Sequence, residues 1–282
     1  MTPILIRSKD RVDYLYTTLK SLTGTILNDA YIVIVDDCSE SDEMKKFLYS
    51  NDEIKLKNIG WKQQIKNDVK EKSIYFFNPN NLTDNEMWEK YIGNELPYET
   101  NITGIKDKFT VIQPSKNMGD LCGLYWTIMA GFELFKNTEK IIILEDDLIF
   151  NKNWLNITNY IYESEKRSKL GLISVYNRDN DNLYNEKMYK TTDNIGGVMY
   201  LIPRNVYDFL NRTNSLILNI NDEDNIGGDV HLQNKLLKNE YLIYNSNESY
   251  IQHIGIRSLV RPGRFLRMSR NFMQPFALNK VF

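Results

Sequence analysis

Cysteine is nearly absent from this 282-residue chain: only Cys38 and Cys122 occur, with no metal-binding or redox spacing. That scarcity excludes a disulfide framework and fits a reducing compartment, so a cytoplasmic location is expected. Sequons such as Asn101-Ile102-Thr103 and Asn156-Ile157-Thr158 are accordingly read as chance matches. No apolar run approaches the ~20 residues that span a bilayer. Met1 to Arg11 is a short apolar run followed at once by charge, which is not the pattern of a signal peptide. Neither sign of charge dominates, since 35 basic residues face 37 acidic ones for a formal charge of −2. Global basicity of the kind that marks nucleic-acid or membrane binders is therefore missing. Histidine is as rare as cysteine, with two residues, His231 and His253. The first apolar segment and its continuation, PILIRSKDR, contain no glycine, so no phosphate-cradling loop of the kind a nucleotidyltransferase uses stands there. A catalytic Ser-His-Asp set and a zinc cluster are missing as well. Alanine is scarce while Asn, Lys, Ile and Tyr are heavily used, a low-GC composition typical of viral or bacterial sources.

What is present is a core-forming sequence, with 42% hydrophobic and 26% charged residues. The length corresponds to roughly two domain-sized units or one large α/β domain. Pro3 to Ser8 reads as a buried strand, and Asp10 is expected to cap a helix carrying Val12, Leu15, Tyr16, Leu19 and Leu22 at helical spacing. Tyr31 to Val35 reads as a central parallel strand ending in Asp36-Asp37. Ser39 or Ser41 then opens a helix near Asp42 to Tyr49, which completes a βαβ start. Residues 51–108 turn polar and Asn-rich, studded with Trp61, Phe76, Phe77, Trp88 and Tyr91, of which the first four are read as a satellite core, with stacking on sugars or bases as the alternative. Such a long connection is expected to be an insertion with small elements of its own. Further strands are expected at Phe109 to Gln113, Lys140 to Leu144, Leu170 to Tyr176, Val198 to Ile202, Tyr241 to Tyr244 and Ser249 to His253. Helices are expected at Asn117 to Lys136, from Asn151 or Asn153 to about Arg167, and at Val230 to Lys238. The expected architecture is a doubly wound α/β domain over residues 1–256, with a mostly parallel sheet flanked by helices, followed by a tail from 257 to 282.

Two apolar strands end in acids, VIVDD and IIILEDD. In open parallel sheets ligands bind at the carboxyl ends of strands. Paired carboxylates there attract a hard divalent cation or a sugar's hydroxyls, and Mg²⁺ or Mn²⁺ commonly keeps positions open for phosphates. His253 follows a strand and precedes Gly255, which marks it as functional, whereas His231 sits within a helical pattern and is read as structural.

The succession of a first strand with Arg7, then VDD, NMG, LEDD and a late QHIG resembles GT-A glycosyltransferases. The nearest styles are the N-acetylglucosaminyltransferase I family and the broad inverting bacterial and viral group. The resemblance implies that Arg7 and Arg11 contact a donor nucleotide and that Asp36 or Asp37 hydrogen-bonds its base or ribose. It likewise implies that Asn117 and Gly119 line the nucleotide wall. Glu145, Asp146 and Asp147 stand at the DXD-like position, with Asp147 the expected metal ligand and His253 a second ligand or a diphosphate contact. Gly196 and Gly197 match the loop that faces the sugar and acceptor, and Asp229 matches the general base. Gly227-Gly228 replaces the usual aromatic-acid pair before that base, and Asp222, Glu223 and Asp224 compete for the role.

The tail holds Arg257, Arg261, Arg264, Arg267 and Arg270 at three- and four-residue intervals, with no acid after Glu248. Arginine's planar fork suits phosphate. Arg257 is assigned to the donor diphosphate and the other four to a polyanion, with a solvated basic helix end as the plainer reading. The expected activity is an inverting, Mn²⁺- or Mg²⁺-dependent transfer from a UDP-sugar, such as UDP-glucose. The favoured acceptor is hydroxymethylated or glucosylated cytosine in phage DNA, as for T-even phage enzymes, and the alternative is a bacterial surface glycan or lipid-linked sugar. A nucleotidyltransferase is the reading from another class.

Overall fold

A computed structural model of the chain describes residues 2–23, 25, 30–49, 109–177, 188–216 and 227–254. The proposed insertion and its aromatics, the acids at 222–224 and the arginine tail lie outside the described residues. The strands alternate strictly between two cores. In β1 (Thr2–Ser8), Ile4 and Ile6 enter one apolar cluster while Leu5 enters another; in β2 (Ala30–Asp36), Ile32 and Ile34 oppose Val33 and Val35. In β4 (Lys140–Glu145), Ile142 and Leu144 oppose Ile141 and Ile143 in the same way. A period of two with both faces apolar is what a sheet covered on both sides requires.

The first core is covered by α1 (Val12–Thr23), α2 (Asp42–Tyr49) and α4 (Trp154–Glu165), through residues such as Leu15, Leu19, Phe47, Trp154 and Ile161. The second is covered by α3 (Gly119–Leu134), α5 (Arg204–Arg212) and α6 (Gly228–Lys238), through Leu124, Ile128, Phe132, Val206 and Leu232. Those spacings of three, four and seven put one face of each helix on the sheet. The remaining strands are β3 (Phe109–Ile112), β5 (Leu148–Phe150), β6 (Leu170–Ser174), β7 (Tyr189–Thr191), β8 (Met199–Pro203), β9 (Leu242–Ser246) and β10 (Ile251–His253). Eight of the ten described strands form one sheet in the order β3-β2-β1-β4-β8-β6-β9-β7, and β10 pairs with β5 in a second, two-stranded sheet.

This is the mixed α/β architecture that the sequence pattern predicts, with two departures from a parallel sheet, the first at β7, which runs antiparallel to β9. The second is at β8, which runs antiparallel to both β4 and β6. Its register sets Leu144 opposite Met199, so the start of β8 lies at the same rim as the end of β4. Three further details differ from the sequence reading. Asp10 does not cap α1: it lies in the left-handed region at φ 50°, and its carboxylate accepts from the backbone N–H groups of Glu40 and Ser41 at 2.7 and 2.8 Å. Leu148 to Phe150 form β5, a strand that the sequence reading did not place, while α4 starts at Trp154 with Asn153, one of the two expected residues, at the cap position. Neither α5 nor β7 was expected. Ser41, by contrast, caps α2 by accepting from the Met44 N–H at 3.2 Å. Among the described residues no helix is long and apolar enough to cross a membrane.

Leu5 is fully buried and lies against the second core, where a β-carbon on Gly131 of α3 would stand 3.1 Å from one of its methyl groups. Leu5→Ala is expected to cost about 2–5 kcal/mol in urea unfolding, because the close-packed α3 cannot collapse onto the vacated volume. A loss below about 1 kcal/mol would show that the α3–β1 contact does not carry the core.

Candidate active site

The site is built on the rim where β1, β2 and β4 end. Strand register places Arg7 opposite Glu145 and Ser8 opposite Asp36. Beyond β4 the chain turns through Asp146 and Asp147 into β5. Two buried hydroxyls of α1 hold this turn: Thr18 donates to the Asp146 carbonyl at 2.6 Å and accepts from the Leu148 N–H at 2.8 Å, while Ser21 accepts from the Phe150 N–H at 2.9 Å.

Both acids of the turn are buried and share one cation. Arg11 hydrogen-bonds Asp146 through one guanidinium nitrogen and Oδ2 of Asp147 through another, the latter at 2.8 Å. Asp146 also accepts from the Ser8 hydroxyl at 2.5 Å. Among the described residues Oδ1 of Asp147 has no hydrogen-bond partner, and Nε2 of His253 stands 3.4 Å from it in an ion pair. Pairing of β10 with β5 sets His253 there, opposite Leu148, and the Ile254 N–H donates to the Asp147 carbonyl at 2.9 Å. Burial works to raise the Asp147 carboxyl, but His253 and Arg11 outweigh it and hold it below the ordinary carboxylate range. Burial works to lower His253, and the facing Asp147 overrides it and raises the imidazole above its usual value. At Glu145 burial, followed by the charge of Asp147, outweighs Arg7 and Arg11 and pushes the carboxyl up to about 7.

Two concavities open from this rim. A cleft of about 510 Å³ is lined by Arg7, Ser8, Lys9, Asp10, Arg11, Asp37, Asn117, Gly119, Asp120 and Glu145. A smaller cavity of about 180 Å³ shares Arg7, Asp120 and Glu145 with it, and adds Tyr176, Gly196, Gly197, Tyr200, Asp229 and His253. Of the Asp36-Asp37 pair only Asp37 borders the cleft. Asp36 is buried, with its oxygens taken by the Ser39 N–H, the Tyr49 hydroxyl and Gln113. Asp37 accepts from the N–H groups of Met118 and Gly119 at 2.7 and 3.0 Å, and so it caps α3 from a distance of more than eighty residues along the chain. Gly119 adopts φ 67°, a conformation suited to glycine.

Asp229 opens α6 and enters the small cavity because two glycines make room. A β-carbon on Gly197 or Gly227 would fall 2.5 or 2.6 Å from its carboxylate. Likewise a β-carbon on Gly196 would meet the Tyr176 ring at 2.6 Å. Asp120, which sequence reasoning missed, links the elements: it accepts from the Gly228 N–H at 3.0 Å, and Arg7 donates to its carbonyl at 3.0 Å. Its sequence signal was the acid following NMG at a helix start. Tyr200 and Tyr176 were missed too, because an aromatic on an apolar strand carries no distinguishing pattern. His231 lies in α6 with Nδ1 2.9 Å from the Tyr125 hydroxyl. The cysteines are half-buried free thiols.

Among the described residues no group of three or more His, Cys, Asp and Glu side chains is gathered closely enough to hold a metal ion. The buried, unbonded Oδ1 of Asp147 facing an imidazole nitrogen nevertheless fits a divalent cation that takes its remaining ligands from substrate oxygens, since hard oxygen and imidazole donors suit Mn²⁺.

No protein-family model matches the chain, and no curated protein matches it at a significant level. Solved structures do. GalNAc-T7 with UDP, GalNAc and Mn²⁺ is 11% identical with a TM-score of 0.52, over 90% of this chain and 43% of that one. The mannosyltransferase PcManGT from Pyrobaculum calidifontis, in complex with GDP-Man and Mn²⁺, is 12% identical with a TM-score of 0.48, over 86% and 53%. S. aureus TarS 1-349, in complex with UDP-GlcNAc, is 13% identical with a TM-score of 0.47, over 92% and 62%. The chain thus spans less than two thirds of each of these proteins. The GalNAc-T7 likeness establishes the fold, a GT-A arrangement.

Replacing Arg11 with Met would strand two buried carboxylates. Removing one partner of a buried ion pair costs about 3–5 kcal/mol, so Arg11→Met is expected to lose stability on that scale in chemical denaturation. A loss under about 1 kcal/mol would show that Asp146 and Asp147 do not depend on it.

Proposed function

We propose that the chain is a metal-dependent glycosyltransferase that moves a sugar from a nucleotide sugar to an acceptor hydroxyl. The observation that supports this most directly is one rim shared by two concavities of unequal size. Arg7 and Glu145 border both, and the cavity residues His253 and Asp229 lie on the smaller side. The larger cleft is suited to the nucleotide and diphosphate, for which Arg7 and Lys9 offer cations. The smaller one is suited to the sugar and the attacking oxygen. Asp147 and His253 would hold Mn²⁺ or Mg²⁺, with Glu145 alongside. Such an ion, when bound, compensates charge on a departing diphosphate. In this reading Asp229 accepts the proton of the acceptor hydroxyl, and the transfer is inverting. GalNAc-T7, which has this fold, was solved with UDP and Mn²⁺, and that supports a UDP-sugar as the first donor to test.

The experiment is turnover and binding with UDP-glucose, UDP-GlcNAc, UDP-galactose and GDP-mannose, with and without Mn²⁺. Asp147→Ala is expected to remove the Mn²⁺ dependence of donor binding. Asp229→Asn is expected to keep donor affinity and lose about 10²–10⁴-fold in transfer. Unchanged Mn²⁺ affinity in the first variant, or less than a tenfold loss in the second, would overturn the corresponding role.

The acceptor proposal rests on the sequence of the tail. The arginine spacing at Arg261, Arg264, Arg267 and Arg270 supports a polyanion, with modified cytosine in duplex DNA the first candidate. If these residues track phosphates, log affinity for duplex DNA falls with log salt by about 0.9 per contact, and replacing two of them with Gln lowers that slope by about two. Wild-type protein without salt-dependent DNA binding would hand the acceptor to a surface glycan or lipid-linked sugar.

A further inference from the structure

Tyr200 is the second residue of β8, and its ring belongs to the core on the α3 and α6 side. Its neighbours along the strand, Met199, Leu201 and Ile202, are apolar and buried. The residue is only 2% exposed, and its hydroxyl has no hydrogen-bond partner among the described residues. It nevertheless borders the 180 Å³ cavity, together with Glu145, Asp229, Arg7, Gly196 and Gly197. A buried hydroxyl without a partner loses its hydration and receives nothing in return, and phenylalanine would fill the same space without that penalty. Burial, and then the charges of Asp229 and Glu145, keep the phenol protonated far above its ordinary range. The phenol is therefore a donor on a residue that borders a small polar cavity, beside the Asp229 carboxylate, which accepts. A ligand suited to both must accept from the phenol and donate to a carboxylate, which a sugar hydroxyl does with a single oxygen.

We propose that Tyr200 is a specificity-determining residue whose phenol donates a hydrogen bond to one ring hydroxyl of the transferred sugar. This rests on the glycosyltransferase reading above, and the test separates the two. Wild type and Tyr200→Phe are titrated, in Mn²⁺, with UDP, GDP, UDP-glucose, UDP-GlcNAc, UDP-galactose and GDP-mannose. The titrations are repeated with each monodeoxy form of whichever sugar nucleotide binds most tightly. UDP and GDP are expected to bind both proteins alike, while the sugar nucleotide binds the variant about five- to tenfold more weakly. One monodeoxy sugar is expected to lose that same factor in wild type and to lose nothing further in Tyr200→Phe. The ligand-free variant is expected to melt at the wild-type temperature or above, because it no longer buries an unpaired hydroxyl. Equal weakening of UDP and sugar nucleotide, no monodeoxy sugar coupled to the variant, or a fall of several degrees in Tm would each overturn the proposal. If wild type binds and turns over a sugar nucleotide and the variant is indistinguishable, the Tyr200 role alone falls. If wild type binds none of them, the glycosyltransferase reading falls and Tyr200 with it.

Discussion

The grip of Arg11 on Asp146 and Asp147 is the interaction on which the site's arrangement depends. Two adjacent buried carboxylates repel each other and lack water, so without a shared cation the turn after β4 would be costly to bury. Arg11 comes from the residue preceding α1, which ties the start of that helix to the end of the central strand. Thr18 and Ser21, on the same helix, then take up the backbone groups of the turn and of β5. β5 in turn receives β10, and β10 delivers His253. The arginine engages one oxygen of Asp147 and leaves the other facing the imidazole. An ion pair that looks purely structural thereby orients a carboxylate.

The second constraint is the reversal of β8. A fully parallel sheet would bring only strand ends to the rim. Because β8 runs the other way, its beginning meets the end of β4, with the Glu145 N–H donating to the Val198 carbonyl at 3.0 Å. The Gly196-Gly197 approach and the first residues of a strand therefore stand beside the acids, and a rigid strand contributes the Tyr200 ring. α6 reaches the same place through Asp120, which couples its first turn to α3 and to Arg7.

Much of this was legible because periodicity and strand-terminal acids are local signals. The apolar runs ILI, IVIV and IIIL gave β1, β2 and β4 nearly to the residue, and the acids that follow them marked the rim. What local reading missed depends on partners far along the chain. Asp10 looks like a helix cap, yet its preference for the left-handed region lets it serve the loop before α2. The start of α3 is set at Gly119 by Asp37, eighty-two positions earlier, so the pattern from Asn117 overran it. Asp36 and Asp37 are neighbours in sequence, but the strand's alternation sends one inward to Tyr49 and Gln113 and the other to the cleft. α5 carried a readable Val206, Phe209 and Leu210 spacing that went unused beside Pro203. β7 is three residues long, too short for any period to register.

Among the described residues β3 lies at the margin of the large sheet and pairs with β2. It therefore stands two places from β1, whose pairing with β4 aligns Arg7 with Glu145. β3 is thus separated by β2 from the pairing that sets the reactive rim, so a shift of β3 along its neighbour reaches Arg7 and Glu145 only through that intervening strand.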